Sequence, residues 1–373
     1  MMTSPSTDKA EDHTPRTAPT LSVIINNFNY AHFVGKALDS LLEQTQDGLE
    51  IIVVDDCSTD NSRDVILDFD RRYPGRITRV FQPVNSGQGA GFNAGYAVSH
   101  GELVMFLDAD DFMLPGGADI IRKNFEDGVT VYHYRMHYTD AANALREELY
   151  PPLHEQLANG DASQDLLTKG RYKGTITSGL VFGRKILERI MPMDPEAFRY
   201  GGDGYLCAVA PLYGPVRSYE TAVCAYRLHQ RQHTSRMEEQ ARLARWRISH
   251  DEERYKATTE HARRLNLKVE PDLGSRDEQH LFERIVSVLF EPAAHPIAGE
   301  TLPQAIRAIR KLTWHTRSGF RRLLTWVWWS TLLYAPKSVK VRLMRLKLDP
   351  STRPEWLKQS ARFLRKRLRV YMP

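Results

Sequence analysis

The sequence predicts an α/β fold, a mostly parallel sheet covered by helices on both faces, and three observations predict it. Strand-like and helix-like segments alternate from residue 21 to residue 134. Residues 103–107 (LVMFL) are an unbroken apolar run that stops at carboxylates, the pattern of a strand buried on both faces that ends at a site. Polar clusters follow three of the strands, at residues 26–29 (NNFN), 55–56 (DD) and 108–111 (DADD). Sheets of this kind bind ligands in the crevice beyond the carboxyl ends of their strands, so the three clusters should share one rim.

Residues 1–19 are polar, dotted with proline and nearly free of large aliphatic side chains, and are expected to stay disordered. Residues 21–25 (LSVII) form the first strand, 26–29 a polar turn, and Val34, Leu38, Leu41 and Leu42 mark the apolar face of the first helix. The second strand, 50–54, runs into Asp55 and Asp56, and Ser58 or Asp60 is placed to cap the helix bearing Val65, Ile66 and Phe69. Residues 77–81 are the third strand, 87–99 a helix of small residues, 103–107 the fourth strand and 129–134 a fifth. The glycines of 85–95 (NSGQGAGFNAG) follow the third strand and do not give the GxGxxG spacing, which excludes a dinucleotide fingerprint. They let a helix pack closely, with Asn93 expected to face the ligand.

Asp108, Asp110 and Asp111 put three carboxylates in four positions. Such a cluster repels itself unless hydrogen-bond donors or a cation sit among the acids, and a divalent metal is the simplest such cation.

With these motifs in this order, residues 21–115 resemble the family 2 glycosyltransferases of the GT-A fold, a Rossmann-like α/β architecture. The stretches that carry the resemblance are SVIINNFNYAHFVGKALDSLLEQT, EIIVVDDCSTDNS, NSGQGAGFNAGYAVSHGE and FLDADD. It continues through GTITSGLVF (174–182), RYGGDGYL (199–206) and AYRLH (225–229) and covers roughly residues 21 to 235. The resemblance implies an inverting transferase that moves a sugar from a nucleotide sugar, a UDP-sugar first, to a hydroxyl of a glycan or lipid-linked acceptor in cell-surface polysaccharide or glycolipid synthesis. By the same resemblance Asp56 accepts the N3 proton of uracil, Phe28 lies against the base and Asn26 adds a contact. Asp108 and Asp110 match the DxD element, the first meeting ribose or a metal-bound water and the second binding Mg or Mn. Asp203 matches the general base, although many relatives have an acidic pair where this chain has Gly202 and Asp203. His229 matches a histidine that in some relatives joins the metal or the diphosphate. Residues 169–184, with Arg171, Lys173, Thr177 and Ser178, are expected to wall the acceptor site.

Two other classes fit parts of the pattern. A phosphatase with an aspartyl nucleophile also carries DxDx after an apolar strand, but Phe112 stands where Thr or Val normally follows. A catalytically silent nucleotide-sugar-binding protein of the same fold would be expected to lose the acids, and they are present.

The chain has 373 residues, 42% of them hydrophobic and 26% charged, enough for a large core and two or more domains. The division expected is a disordered segment at 1–19, a GT-A domain at 20–235 and a helical, basic region at 236–373. Three widely spaced cysteines make neither a disulfide framework nor a CxxC metal site, and no apolar signal segment opens the sequence, so the cytoplasm is the expected compartment. The net charge of +5 hides an asymmetry. From Lys311 onward sixteen Lys and Arg face only Asp349 and Glu355, a net +14 that leaves the preceding residues at −9.

Within that basic tail, residues 323–335 (LLTWVWWSTLLYA) carry no charge. The run is too short to span a bilayer core, which takes about 20 apolar residues. Tryptophan and tyrosine flanked by Lys and Arg suit a helix lying in a membrane interface, so residues 311–373 are expected to hold the protein at the inner face of a membrane. The alternative is a helix buried against the catalytic domain or in a homodimer. No nucleic-acid module is recognisable, and nucleic acid is not an expected partner. Trp356, Leu357, Phe363 and Leu364 with the basic residues of 362–369 suggest a further amphipathic helix.

Overall fold

A computed structural model describes residues 19–228, 237–349 and 354. His229 and His233, residues 1–18 and the amphipathic segment of 355–373 lie outside the described residues.

The amino-terminal half follows the expected alternation. β1 (Leu21–Asn27), α1 (Ala31–Leu42), β2 (Leu49–Asp55), α2 (Ser62–Arg72), β3 (Ile77–Phe81), α3 (Gln88–Ala97) and β4 (Leu103–Asp108) come in turn. Each of these strands points the same way, with β2 and β4 on either side of β1 and β3 outside β2. The second half is mixed. It comprises β5 (Phe112–Met113), α4 (Gly117–Lys123), β6 (Val131–Thr139), β7 (Leu145–Tyr150), α5 (Ser163–Lys169), β8 (Leu180–Gly183), α6 (Arg184–Ile190), α7 (Gly202–Val209) and β9 (Val216–Arg227). Among the described residues one nine-stranded sheet runs β3-β2-β1-β4-β8-β6-β9-β5, with β7 paired to β6. The parallel part expected from the sequence is therefore β3-β2-β1-β4, and antiparallel β8 begins a mixed extension. This is the α/β class that the sequence predicts, with a helical region after it.

Strand pleating explains the apolar runs. Along β4, Val104 and Phe106 enter a core on one face of the sheet, while Leu103, Met105 and Leu107 enter the core on the other. A strand covered on both sides has no polar face to show, and burying each such side chain contributes about 1.5–3 kcal/mol. Phe92 of α3 stacks on Phe106 with ring centroids 4.0 Å apart. Gly95 lets the same helix press against Ile24 and Val54, where a Cβ would clash.

After the sheet come α8 (Met237–Arg264), α9 (Glu278–Phe290), α10 (Leu302–Thr316), α11 (Gly319–Tyr334) and α12 (Lys337–Leu348). α8 joins the two halves, because its Ala257 and Ala262 sit in a core of the sheet and its Ala244 in a third core formed with α9 to α12. Trp329, Leu332 and Leu333 of the Trp-rich run are buried in that third core. One side of the run is thus a packing face, set against the neighbouring helices and not against the sheet domain as the alternative expected. The opposite stripe of α11, with Phe320, Leu323, Leu324, Val327 and Tyr334, is 47–79% exposed. No helix among the described residues is long and apolar enough to cross a membrane.

Candidate active site

The three polar clusters meet on one rim. In the sheet register Asn26 lies opposite Asp108 and Asn27 opposite Asp55, so the ends of β2, β1 and β4 stand side by side. Each cluster has its own support. The Asn27 side chain, fully buried, donates to Asp55 Oδ2 at 2.7 Å, and Asp55 in turn accepts from the Ser58 backbone and hydroxyl. These bonds hold the turn on which Phe28 stands with 41% of its surface open. The Asn26 Oδ1 atom is turned inward against Gly91, buried and without a hydrogen-bond partner.

Asp56 is buried and organises the loop before α3. Its Oδ1 accepts from the Ser86 backbone at 2.8 Å and from Gln82 Nε2 at 2.9 Å, and its Oδ2 accepts from the Gly87 backbone at 2.7 Å. Burial pushes its carboxyl above the ordinary range, while those backbone bonds and the nearby Arg199 guanidinium work against the rise.

The acid turn is tied down from β9. β5 pairs antiparallel with β9, Phe112 opposite Ala225. Arg227 Nε donates to the Asp110 carbonyl at 2.6 Å, and the Arg227 backbone N–H donates to Asp111 Oδ1 at 2.9 Å. Its guanidinium lies 4.6 Å from the Phe33 ring centre and 5.5 Å from that of Phe112. Burial raises the pKa of Asp108 to about 8, and the charges of Asp110 and Asp203 add to the rise. Asp111 is driven the same way by burial and by Asp110 and Asp108.

Asp203 comes from the other half of the chain to the same place. Gly201, in a left-handed conformation with φ of 77°, begins α7, so Asp203 lies in the first turn and is not the cap residue. Burial raises its pKa, opposed by a hydrogen bond from the Gly204 backbone, another from the Thr177 side chain and the charge of Arg254. The Thr177 side chain also works against the rise at Asp108, so this residue faces both acids. The Ser178 hydroxyl accepts from the Asp108 backbone N–H at 3.1 Å. α8 closes the far side, with the His250 ring against Gly201 and Gly204 and stacked on Trp246 at 5.1 Å.

Asn26, Phe28, Asp56, Asp108, Asp110 and Asp203 therefore surround one cleft. Two expectations need correction. Asn93 does not face the cleft: its side chain donates to the Met193 carbonyl at 2.8 Å and accepts from the Met193 N–H at 3.0 Å, clipping α3 to the segment before α7. Arg171 does not wall the acceptor site. It turns into the helical region, donating to Asp277 Oδ2 at 2.8 Å and Asp251 Oδ1 at 2.7 Å, because those acids supply the buried counter-charge a guanidinium needs. Sequence reasoning missed Gln88, Arg227 and Arg254. Gln88 alone left a signal, a polar side chain opening a helix of small residues just beyond a strand end.

Among the described residues no group of three or more His, Cys, Asp or Glu side chains is placed to hold a metal ion. A cation bridging a diphosphate takes only one or two carboxylates from the protein, and Asp108 with Asp110 supplies that many. The orphaned, buried Asp111 Oδ2 beside them fits a cation's surroundings better than a dry core.

Several known proteins are similar to this chain. An uncharacterized glycosyltransferase of Nostoc sp. is 38% identical over 214 residues, 56% of this chain and 65% of its own length. A poly(ribitol-phosphate) beta-glucosyltransferase of Bacillus spizizenii is 35% identical over 96 residues, 25% of this chain and 15% of its own. The chain thus spans less than two thirds of either relative. A solved mannosyltransferase from Pyrobaculum calidifontis, in complex with GDP-Man and Mn2+, superposes with a TM-score of 0.49 at 19% identity, covering 89% of this chain and 85% of that one. Residues 22–191 match the family described as glycosyl transferase family 2, so this stretch of the chain is a domain of that family.

Proposed function

We propose that the protein transfers a sugar from a nucleotide sugar, a UDP-sugar, to a hydroxyl of a glycan or lipid-linked acceptor, with inversion at the anomeric carbon. The observation that carries this reading is that the Gln88 amide bonds both Asp108 and the Gly201 and Gly202 N–H groups just before Asp203, which sets a candidate base beside the candidate donor-binding acids. Phe28 offers an open ring for a base to lie against. Asp56 Oδ2 holds one hydrogen bond and can accept a second, which suits the N3–H of uracil. Asp108 and Asp110 would hold Mg or Mn, with His229 as a further candidate ligand. A bound cation would neutralise charge developing on the departing nucleoside diphosphate.

Asp203 would take the proton of the acceptor hydroxyl as that oxygen attacks from the face opposite the diphosphate. Burial raises its pKa, and a raised pKa makes a carboxylate a stronger base. The likeness to a poly(ribitol-phosphate) beta-glucosyltransferase supports a polymeric acceptor. The test is calorimetry against UDP- and GDP-sugars followed by analysis of the product's anomeric configuration. Retained configuration overturns the single displacement, and donor binding without any transfer would favour the silent binding protein.

We also propose that the exposed stripe of α11 meets an anionic membrane surface. Phe320, Leu323, Leu324 and Val327 recur at helical spacing, with Arg321 exposed on the same helix and Lys337, Arg342 and Arg345 exposed on the next. Each basic group near anionic lipid contributes on the order of 1 kcal/mol. Flotation with vesicles containing phosphatidylserine should be strong, weaker in high salt, and lost when those four apolar residues are changed together to Ser. Truncation after Arg310 is unsuitable, since it cuts α10 and opens the third core. Unchanged flotation of the Ser variant, or its conversion from dimer to monomer without any vesicle binding by the parent, refutes the membrane contact.

A further inference from the structure

One side chain connects the two halves of the cleft. Gln88 is the first residue of α3, and its Nε2 donates to Asp108 Oδ1 at 3.2 Å. Its Oε1 accepts from the backbone N–H groups of Gly201 and Gly202, each at 2.9 Å. The amide's orientation follows from its partners. Two backbone N–H groups can only donate, so the oxygen faces them and the NH₂ group is left for the carboxylate.

The backbone reinforces the contact, with the Gln88 N–H donating to the Arg199 carbonyl at 2.7 Å and the Gly89 N–H to the Phe198 carbonyl at 3.1 Å. Neither Gly87 nor Gly89 has room for a Cβ against that segment. The glycine-rich stretch therefore seats residues 198–202 on α3, and Gln88 carries the seat through to Asp108. Gly202 directly precedes Asp203.

We propose that Gln88 is a positioning residue that sets the start of α7, and with it the Asp203 carboxylate, relative to the donor-binding acid Asp108. The proposal rests on the roles given above to Asp108 and Asp203. An amide is suited to this place because it satisfies helix N–H groups and a carboxylate at once. A glutamate keeps the first contact and sets charge against charge at the second. A methionine of similar length makes neither.

The two substitutions should separate in kinetics. Gln88→Met releases the start of α7 and should lower kcat by about 10- to 100-fold, since a shift of about 1 Å in a reacting group costs that much, with donor Kd within about threefold. Gln88→Glu retains an acceptor for Gly201 and Gly202 and should recover most of kcat, while weakening metal-dependent donor binding about tenfold or more through repulsion of Asp108. A Met variant with kcat within twofold of the parent overturns the proposal, as do equal losses of kcat in both variants.

Hydrogen exchange supplies a readout that does not depend on transfer. The Gly201 and Gly202 amides should exchange about tenfold faster or more in Gln88→Met, with β4 amides unchanged. If the parent protein transfers no sugar while this exchange effect is present, the proposed function fails and the strut stands. If exchange at those two amides is unaltered, the strut itself is refuted.

Discussion

Asp203→Asn should lower kcat by about 10²- to 10⁴-fold, the usual contribution of a positioned general base, while leaving donor affinity within about twofold of the parent. The substitution is well suited to separating chemistry from structure. An asparagine keeps the shape of the aspartate, and α7 is begun by Gly201 and not by this side chain. Only the ability to accept a proton is removed. The pH profile gives the second measurement. A base works when ionised, so the parent's kcat/KM should rise with pH through the pKa of Asp203. Burial places that rise above the ordinary range of an aspartate. The limb should vanish in Asp203→Asn. Replacing Arg254 by Met removes a charge that favours the ionised form, and should move the limb to higher pH. A variant that retains a tenth or more of parental turnover would refute Asp203 as the base.

Asp110→Ala should abolish the metal dependence of donor binding and weaken the donor by about 100-fold in the presence of Mn, equivalent to about 2.7 kcal/mol. The acid turn should survive, because Arg227 holds it through the Asp110 carbonyl and Asp111 Oδ1, and neither contact uses the side chain that is replaced. Calorimetry of a UDP-sugar with Mn and with EDTA measures both terms in each protein. Should Asp110→Ala still bind the donor more tightly with Mn than with EDTA, the metal-binding role belongs elsewhere. Asp203→Asn and Asp110→Ala together distinguish a cleft with separate donor and acceptor chemistry from one in which any lost carboxylate simply loosens the protein.

The parallel half of the sheet and the rim it creates were legible in the sequence because the signals are local. Apolar runs such as 103–107 are read directly as buried strands, and Asp55, Asp56 and Asp108 follow strands that chain order makes parallel. The basic charge of the tail and the helical pattern of 237–264 are equally local. What the sequence could not decide is where a polar side chain spends its hydrogen bonds. Asn93 was expected at the ligand and instead clips Met193, a residue 100 positions away. Arg171 was expected at the acceptor and instead serves Asp251 and Asp277. Gln88, over 110 residues from Gly201 and Gly202, becomes a strut only when α3 and α7 are packed together. Composition and periodicity alone determined the fold class, the acid-lined rim and the opposite charge of the two ends of this chain, because each depends on neighbours in sequence. Tertiary packing alone decided the antiparallel extension, the two faces of α11 and the partners of Asn93, Arg171 and Gln88, because a buried polar group takes whichever partner the folded chain brings to it.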